Sequence, residues 1–343
     1  MRVAVAMSGG MDSAATALLL KKQGYEVRGV HMRLSQRSGS SWDSAQRAAR
    51  EIGVPIEIVD FREEFARLVV NPFIHEYSRG RTPSPCPVCN KCVKMSLLFK
   101  YATSLGCERL ATGHYARIID GPFGPELWKG IDRAKDQSYF LFGLTREMLE
   151  RALFPLGEFT KVEVRAYLKK EEVSVWESAE SQELCFIPDR DYRGFLAKHG
   201  VKDFPGDIVD SRGNVLGRHS GISGFTVGQR RGLGVCGPKP LYVIRIDPEI
   251  RRVVVGPKEE TYVSALRIGE LNWLVPSPPI PGDRFSMKVR STARPVPCAL
   301  VAREGGGWHF RFREPQCAVA PGQAAVLYLE ERVIGGGWID ETQ

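Results

Sequence analysis

The alternation at the start of this chain limits its fold more than any other feature. RVAVAM (2–7) is a short apolar run, SAATALLLKKQG (13–24) reads as a helix stopped at Gly24, and EVRGVHM (26–32) as a second strand. DSAQRAAREIG (43–53) reads as a helix begun by Asp43 and PIEIVD (55–60) as a third strand. Strands separated by helices pair in parallel through helical crossovers, so the pattern predicts an α/β fold. An amphipathic segment (61–77), a helix through KMSLLFKYATSLG (94–106), a strand at RLATG (109–113) and helices over 160–173 and 190–200 continue it. Ligands of open parallel sheets bind at the carboxyl ends of the strands, where SGGMDS (8–13) and GHYAR (113–117) fall.

The texture changes near Phe204. GDIVDSRGNVLG reads as a hairpin, and LYVIRI, RRVVVG and FSMKVRS are strand-like runs set apart by Gly and Pro. At 343 residues two or three domains are expected. The expected division is an α/β domain over 1–203, a small β module over 204–269, and a β-barrel or sandwich over 270–343, with PSPPIPGD (276–283) as a rigid turn.

The formal charge of +8 makes a polyanionic partner an expectation, and no block of five like charges occurs, so a basic surface must be assembled by folding. Eight cysteines are too sparse for a disulfide scaffold, and no apolar run reaches the roughly 18 residues of a membrane span. MRVAVAMSGG meets glycines before it builds a secretory apolar core. The expected setting is reducing, cytoplasmic and away from membranes.

In SGGMDS, two glycines let backbone N–H groups approach a phosphate, and the following helix adds positive potential. No lysine follows, so it is not the GxxxxGK[ST] loop. After a first strand it resembles the pyrophosphate loop of ATP pyrophosphatases, which implies ATP over Ala6, Met7, Ser8, Gly9, Gly10, Met11, Asp12 and Ser13, with Asp12 helping to hold Mg2+.

TPSPCPVCNKCVK (82–94), which reads as a loop ahead of the helix at 94–106, spaces three cysteines at steps of three. Zinc is a common occupant of CxxC, but no second CxxC or HxxxH completes a closed site, and Cys92 lacks the proline that follows the last cysteine of a ferredoxin-like run. Cys185, in ESAESQELCFIP (177–188), stands apart. Cys107, Cys236, Cys298 and Cys317 are expected as buried small apolar residues.

GRTPSPCPVCNKCVK, ATGHYAR, KDQSYFL, SQELCFIP, GFTVGQRRGLGV and PGQAAVLY follow one another as in the tRNA-specific 2-thiouridylases, the MnmA/TrmU family, which the chain resembles over nearly its whole length. The resemblance implies ATP-dependent replacement of the 2-oxygen of the wobble uridine, position 34 of tRNAs for Lys, Glu and Gln, by sulfur from a donor protein or sulfide source. It makes Cys89 the nucleophile and Cys185 the persulfide carrier. It puts Met32 and Gly113 at the nucleotide, and Ser84, Pro85, Cys86, His114, Lys135, Asp136, Gln137, Arg290, Ser291 and Gln323 at tRNA. Family members often carry Arg-Tyr where this chain has Arg290-Ser291, and Asp where it has Cys86. The second change creates a CxxC, so Cys86, Cys89 and Cys185 resemble the three-cysteine [4Fe-4S] site of related thiolation enzymes. That cluster is the preferred expectation, ahead of a route in which Cys89 and Cys185 cycle through a disulfide, with Cys92 as a spare thiol or fourth ligand. The alternatives are an amide-ligase type of ATP pyrophosphatase and a zinc-stabilised RNA-binding protein.

Overall fold

The computed structural model describes residues 1–35, 39–177, 184–187 and 191–343, without the side chains of 39 and 40. Half of SQELCFIP, residues 181–183 and 188, lies outside the described residues. The chain divides into two compact units, Met1–Val69, Cys86–Phe186 and Glu331–Ile334 in the first, Val70–Pro85, Ile187–Glu330 and Gly335–Gln343 in the second.

In the first unit, β1 (Arg2–Ala6), α1 (Met11–Lys22), β2 (Glu26–Arg33), α2 (Gly39–Ile52) and β3 (Ile56–Asp60) realise the alternation. β4 (Arg109–Ala111) follows, then a hairpin of β5 (Ala116–Gly121) and β6 (Gly124–Lys129), then the short β7 (Ala152–Leu153). The sheet order is β3-β2-β1-β4-β7, all parallel. Val3, Ala4 and Val5 are fully buried because helices cover both faces of a parallel sheet. α1 is buried along most of its length, and its alanines let it lie close to the strands. Crossovers run to β2 and β3 on one side of β1 and to β4 on the other, so the strand order reverses between β1 and β4, the switch point at which open parallel sheets bind ligands.

The cysteine stretch is helical rather than a loop. Pro85–Val88 is an α-turn that continues as a π-helix over Cys89–Leu98 and returns to α-helix over Phe99–Ser104. Pro85 and Pro87 are tolerated because the first helical turn has no intrahelical use for its N–H groups. A π-segment widens the turn, a departure often found at functional sites.

In the second unit, β8 (Gly206–Val209), β9 (Val215–His219), β10 (Tyr242–Asp247) and β11 (Arg252–Gly256) form a sheet of order β10-β11-β8-β9. The expected hairpin is the β8–β9 pair. β12 (Tyr262–Trp273), β13 (Arg284–Lys288), β14 (Val296–Glu304), β15 (Gly307–Cys317), β16 (Ala324–Leu329) and β17 (Arg332–Thr342) run in the order β12-β15-β14-β13-β16-β17. Pairing of β12 with β17 closes a six-stranded barrel, which leaves no open edge and settles barrel against sandwich. Cys107 and Cys298 are buried, but Cys236 and Cys317 are exposed, contrary to expectation, one in a Gly/Pro turn and one at a strand end.

Candidate functional site

The loop after β1 is braced from within. Ser8 donates its N–H to Ser13 Oγ (3.2 Å), Ser13 Oγ donates to the Gly10 carbonyl (2.9 Å), and the two hydroxyls lie 3.3 Å apart. Ser13 is therefore an internal strut more than a ligand donor. Gly9 has φ +85°, which a side chain would strain, and Gly10 caps α1 without a side-chain hydrogen bond. The first amides of α1 thus lack an internal partner, the arrangement that receives an anion. Ala6 ends β1, while Met7 and Met11 point into the core, so their contribution to a ligand is backbone.

Asp12 sits in the first turn of α1. Its Oδ1 accepts from Lys161 Nζ at 2.6 Å and from the Tyr115 hydroxyl at 2.9 Å. A Cβ on Gly113 would stand 2.8 Å from Asp12 Cβ, so glycine is required where the β4 exit passes the loop. Lys161 opens the helix Lys161–Lys170, fixed by a capping box between Thr160 and Glu163 and by Asp132, which accepts the Lys161 N–H at 2.9 Å. The lysine missing from the loop's own sequence is thus supplied from 149 residues away. TKVE showed the helix start; the partner of Lys161 was not readable from it.

His31, one residue before the half-buried Met32, holds the Met7 carbonyl through Nδ1 at 2.8 Å and ties β2 to the loop. Burial holds its pKa below the ordinary range, so it is a neutral strut. His114 is buried, its Nδ1 2.6 Å from Thr112 Oγ1 and its ring edge-on to Phe154. Burial, reinforced by Lys94, holds its pKa well below the usual imidazole value.

Cys89 is buried, Cys86 and Cys92 are half-buried, and Cys185 is exposed as a residue, although protein around its sulfur still pushes its thiol up. Burial raises Cys86 and lifts Cys89 to about 12. Lys94 opposes burial at Cys86, Cys89 and Cys185, and charge on Cys185 would raise the other two further. Lys94 favours the three thiolates, but desolvation outweighs it. Lys94 is aimed by Asn90, whose Oδ1 accepts from Nζ at 2.9 Å and whose amide donates to the Phe140 carbonyl at 3.0 Å. One lysine, to which sequence reasoning gave no role, therefore acts on three thiols and His114. Among the described residues no three Cys, His, Asp or Glu side chains gather closely enough to hold a metal ion.

Asp136 and Gln137 brace their own loop: Asp136 accepts from the N–H groups of Gly130 and Ser138, and Gln137 Oε1 accepts the Tyr115 N–H at 3.0 Å. They position the tyrosine that holds Asp12. Lys135 lies in the same turn, half-buried. In the second unit Ser84 and Ser291 are half-buried and Pro85 starts the thiol helix. Gln323 donates to the Thr82 carbonyl and Arg290 to the Val227 carbonyl, each at 2.8 Å.

Three family models match in order: a tRNA methyl transferase HUP domain over residues 1–189, a tRNA methyl transferase PRC-barrel domain over 193–257, and an aminomethyltransferase beta-barrel domain over 263–339. The chain is 47% identical to the tRNA-specific 2-thiouridylase MnmA of Geobacter metallireducens, covering 99% of this chain and 96% of that one. It is 46% identical to the MnmA of Syntrophotalea carbinolica, covering 98% of each. Among solved structures it is similar to the U34-tRNA thiolase NcsA from Methanococcus maripaludis with its [4Fe-4S] cluster, at 17% identity and a TM-score of 0.38 over 58% of this chain and 65% of that one, a likeness too small to carry an argument. The full-length identity and the three matched models leave one assignment: the chain belongs to the tRNA-specific 2-thiouridylase family.

Proposed function

We propose that the chain thiolates tRNA with ATP, converting the wobble uridine at position 34 of tRNAs for Lys, Glu and Gln to 2-thiouridine. The observation that carries this reading is the identity of 47% and 46% to tRNA-specific 2-thiouridylases over nearly the whole chain, and the pairing of Asp12 with Lys161 beside the loop 8–13 supports it. The loop 8–13, with Lys161 and with Asp12 sharing Mg2+, holds the phosphates of ATP, while Met32 and Gly113 border its base and sugar. A uracil oxygen is a poor leaving group, so O2 first bonds to the α-phosphorus and pyrophosphate leaves.

A donor protein that carries a persulfide passes its outer sulfur to the Cys185 thiolate and is left as a thiol, so Cys185 becomes the persulfide without any added oxidant. Its terminal sulfur then attacks C2, the C2–O bond breaks and AMP departs. The Cys89 sulfur attacks Cys185 Sγ, which releases C2=S and forms a Cys89–Cys185 disulfide that an external thiol reductant reopens. Lys94 supplies the positive charge that favours the thiolates against burial. Ser84, Pro85, Cys86, His114 and Lys135 contribute to seating the base, with the barrel gripping tRNA under the division 1–203, 204–269 and 270–343.

The test is pyrophosphate release that depends on added tRNA, with 2-thiouridine detected by mass in nucleoside digests. Release without tRNA, accompanied by an amide product, would point to an amide ligase. A [4Fe-4S] cluster on Cys86, Cys89 and Cys185 is tested separately by iron and acid-labile sulfide analysis after anaerobic purification. No step is routed through that cluster.

A further inference from the structure

The motif GFTVGQRRGLGV is not used by the chemistry above, and in the second unit it forms a built surface. Its tip carries Arg230 and Arg231, both exposed, among three glycines at positive φ, Gly228, Gly232 and Gly234. The loop is held open by Gln229: its Oε1 accepts the Thr226 N–H at 3.0 Å and its Nε2 donates to the Arg231 carbonyl at 2.9 Å. Backbone bonds Gly228 N–H to Val243 O (2.8 Å) and Val243 N–H to Gln229 O (2.9 Å) stitch it to β10, and Leu233 is packed in the core of the small sheet.

The charge is one-sided. From Ile222 to Ile246 the chain has Arg230, Arg231, Lys239 and Arg245 and no Asp or Glu. Arg245 is paired with Asp247 at 2.7 Å; among the described residues neither Arg230, Arg231 nor Lys239 has a carboxylate within ion-pair range. Unpaired guanidinium groups on a preorganised loop suit phosphate oxygens, which they meet in two parallel hydrogen bonds. A second observation gives the direction. Arg290 donates to Val227 O beside the loop, and Thr82, whose carbonyl accepts from Gln323, donates its hydroxyl to Thr226 Oγ1 at 3.3 Å. Two residues matched to tRNA contacts thus buttress the arginine loop.

We infer that Arg230 and Arg231 grip backbone phosphates of the RNA substrate, and that Gln229 and Arg290 are positioning residues that hold this loop in shape. The inference rests on the tRNA-thiolation reading. The experiment measures tRNA affinity against salt with the full chain. Each phosphate contact adds roughly 0.7 to 0.9 to the slope of log affinity against log salt, so Arg230→Ala/Arg231→Ala should lower it by about 1.5. Arg230→Lys/Arg231→Lys should keep most of the slope, since the charge is retained. Gln229→Ala should leave both charges in place but expose the loop to trypsin at Arg230 and Arg231. A double alanine variant with wild-type thermal midpoint and wild-type slope overturns the inference, as does a lysine pair that loses the slope. Wild-type protein that binds no tRNA at all overturns this inference and the function reading together, whereas tRNA binding with an unaltered variant slope sinks the loop alone.

Discussion

The two units treat their polar side chains in opposite ways. In the parallel-sheet unit the groups that matter are largely withdrawn from water and set by bonds spanning long stretches of chain, as with Asp12 and Lys161 or Asn90 and Phe140. In the barrel unit Arg290 and Gln323 hold carbonyls, while the unpaired arginines stand in water on a stiff loop. The difference teaches what each task demands. Bond making needs a low dielectric, where one lysine can bias several ionisations, whereas holding a polyanion needs exposed charge that releases counterions.

The sharpest way to break the comparison is to remove one thiol from each unit. Cys89→Ser should abolish thiolation, a loss on the order of 10³-fold or more, while tRNA binding persists. Cys298→Ser in the barrel, where burial alone lifts the thiol to about 12, should leave thiolation intact. Equal losses from both would dissolve the contrast. Next in size, Lys161→Ala should reduce tRNA-dependent pyrophosphate release by roughly 10²- to 10³-fold, as for removal of a preorganised charge at developing negative charge. Retention of Mg2+-dependent release by that variant would show that Asp12 needs no lysine beside it.

Smaller effects sharpen the point. Lys94→Ala should slow alkylation of Cys89 about tenfold, because the charge favouring its thiolate is gone, and leave Cys298 unchanged. Iodoacetamide labelling followed by mass spectrometry reads both at once. The pH dependence of stability should show two separate losses. Cys89 and Cys298 are both raised to about 12 in the fold, so their stabilising contribution is complete below the ordinary thiol range and is lost as pH rises from about 9 towards 12. His114 is lowered, so its contribution is complete above about 6.5 and is lost as pH falls. Denaturation midpoints at pH 7 and 5 should converge in His114→Gln, by an amount of about 1 kcal/mol. An unchanged acid loss in that variant would assign it to other groups, His31 and His219 being the other buried imidazoles held low.

Much of the first unit was legible because local patterns and tertiary needs agree there. The apolar run of β1, the glycines of the loop and the alanine-rich α1 each demand the same parallel sheet. The β5–β6 hairpin was not singled out, because DGPFG breaks its short alternation with two glycines and a proline. The thiol stretch was read as a loop since its two prolines suggest one, yet both fall in the first helical turn. Barrel closure was hidden for another reason. It depends on β12 pairing with both β15 and β17, and register between distant strands leaves no trace in either strand alone.

By itself the sequence determined the parallel α/β core, the phosphate loop and the identity of the thiols, because glycine placement, apolar period and sulfur are properties of neighbouring residues. The tertiary structure alone decided which cations serve them. Lys161 and Lys94 look like surface lysines in a list of letters, and only the packing of the helix Lys161–Lys170 against α1, and of Asn90 beneath Phe140, sets their charges on Asp12 and on the sulfurs. Coulomb interaction depends on separation in space and on the dielectric between the groups, and the fold fixes both.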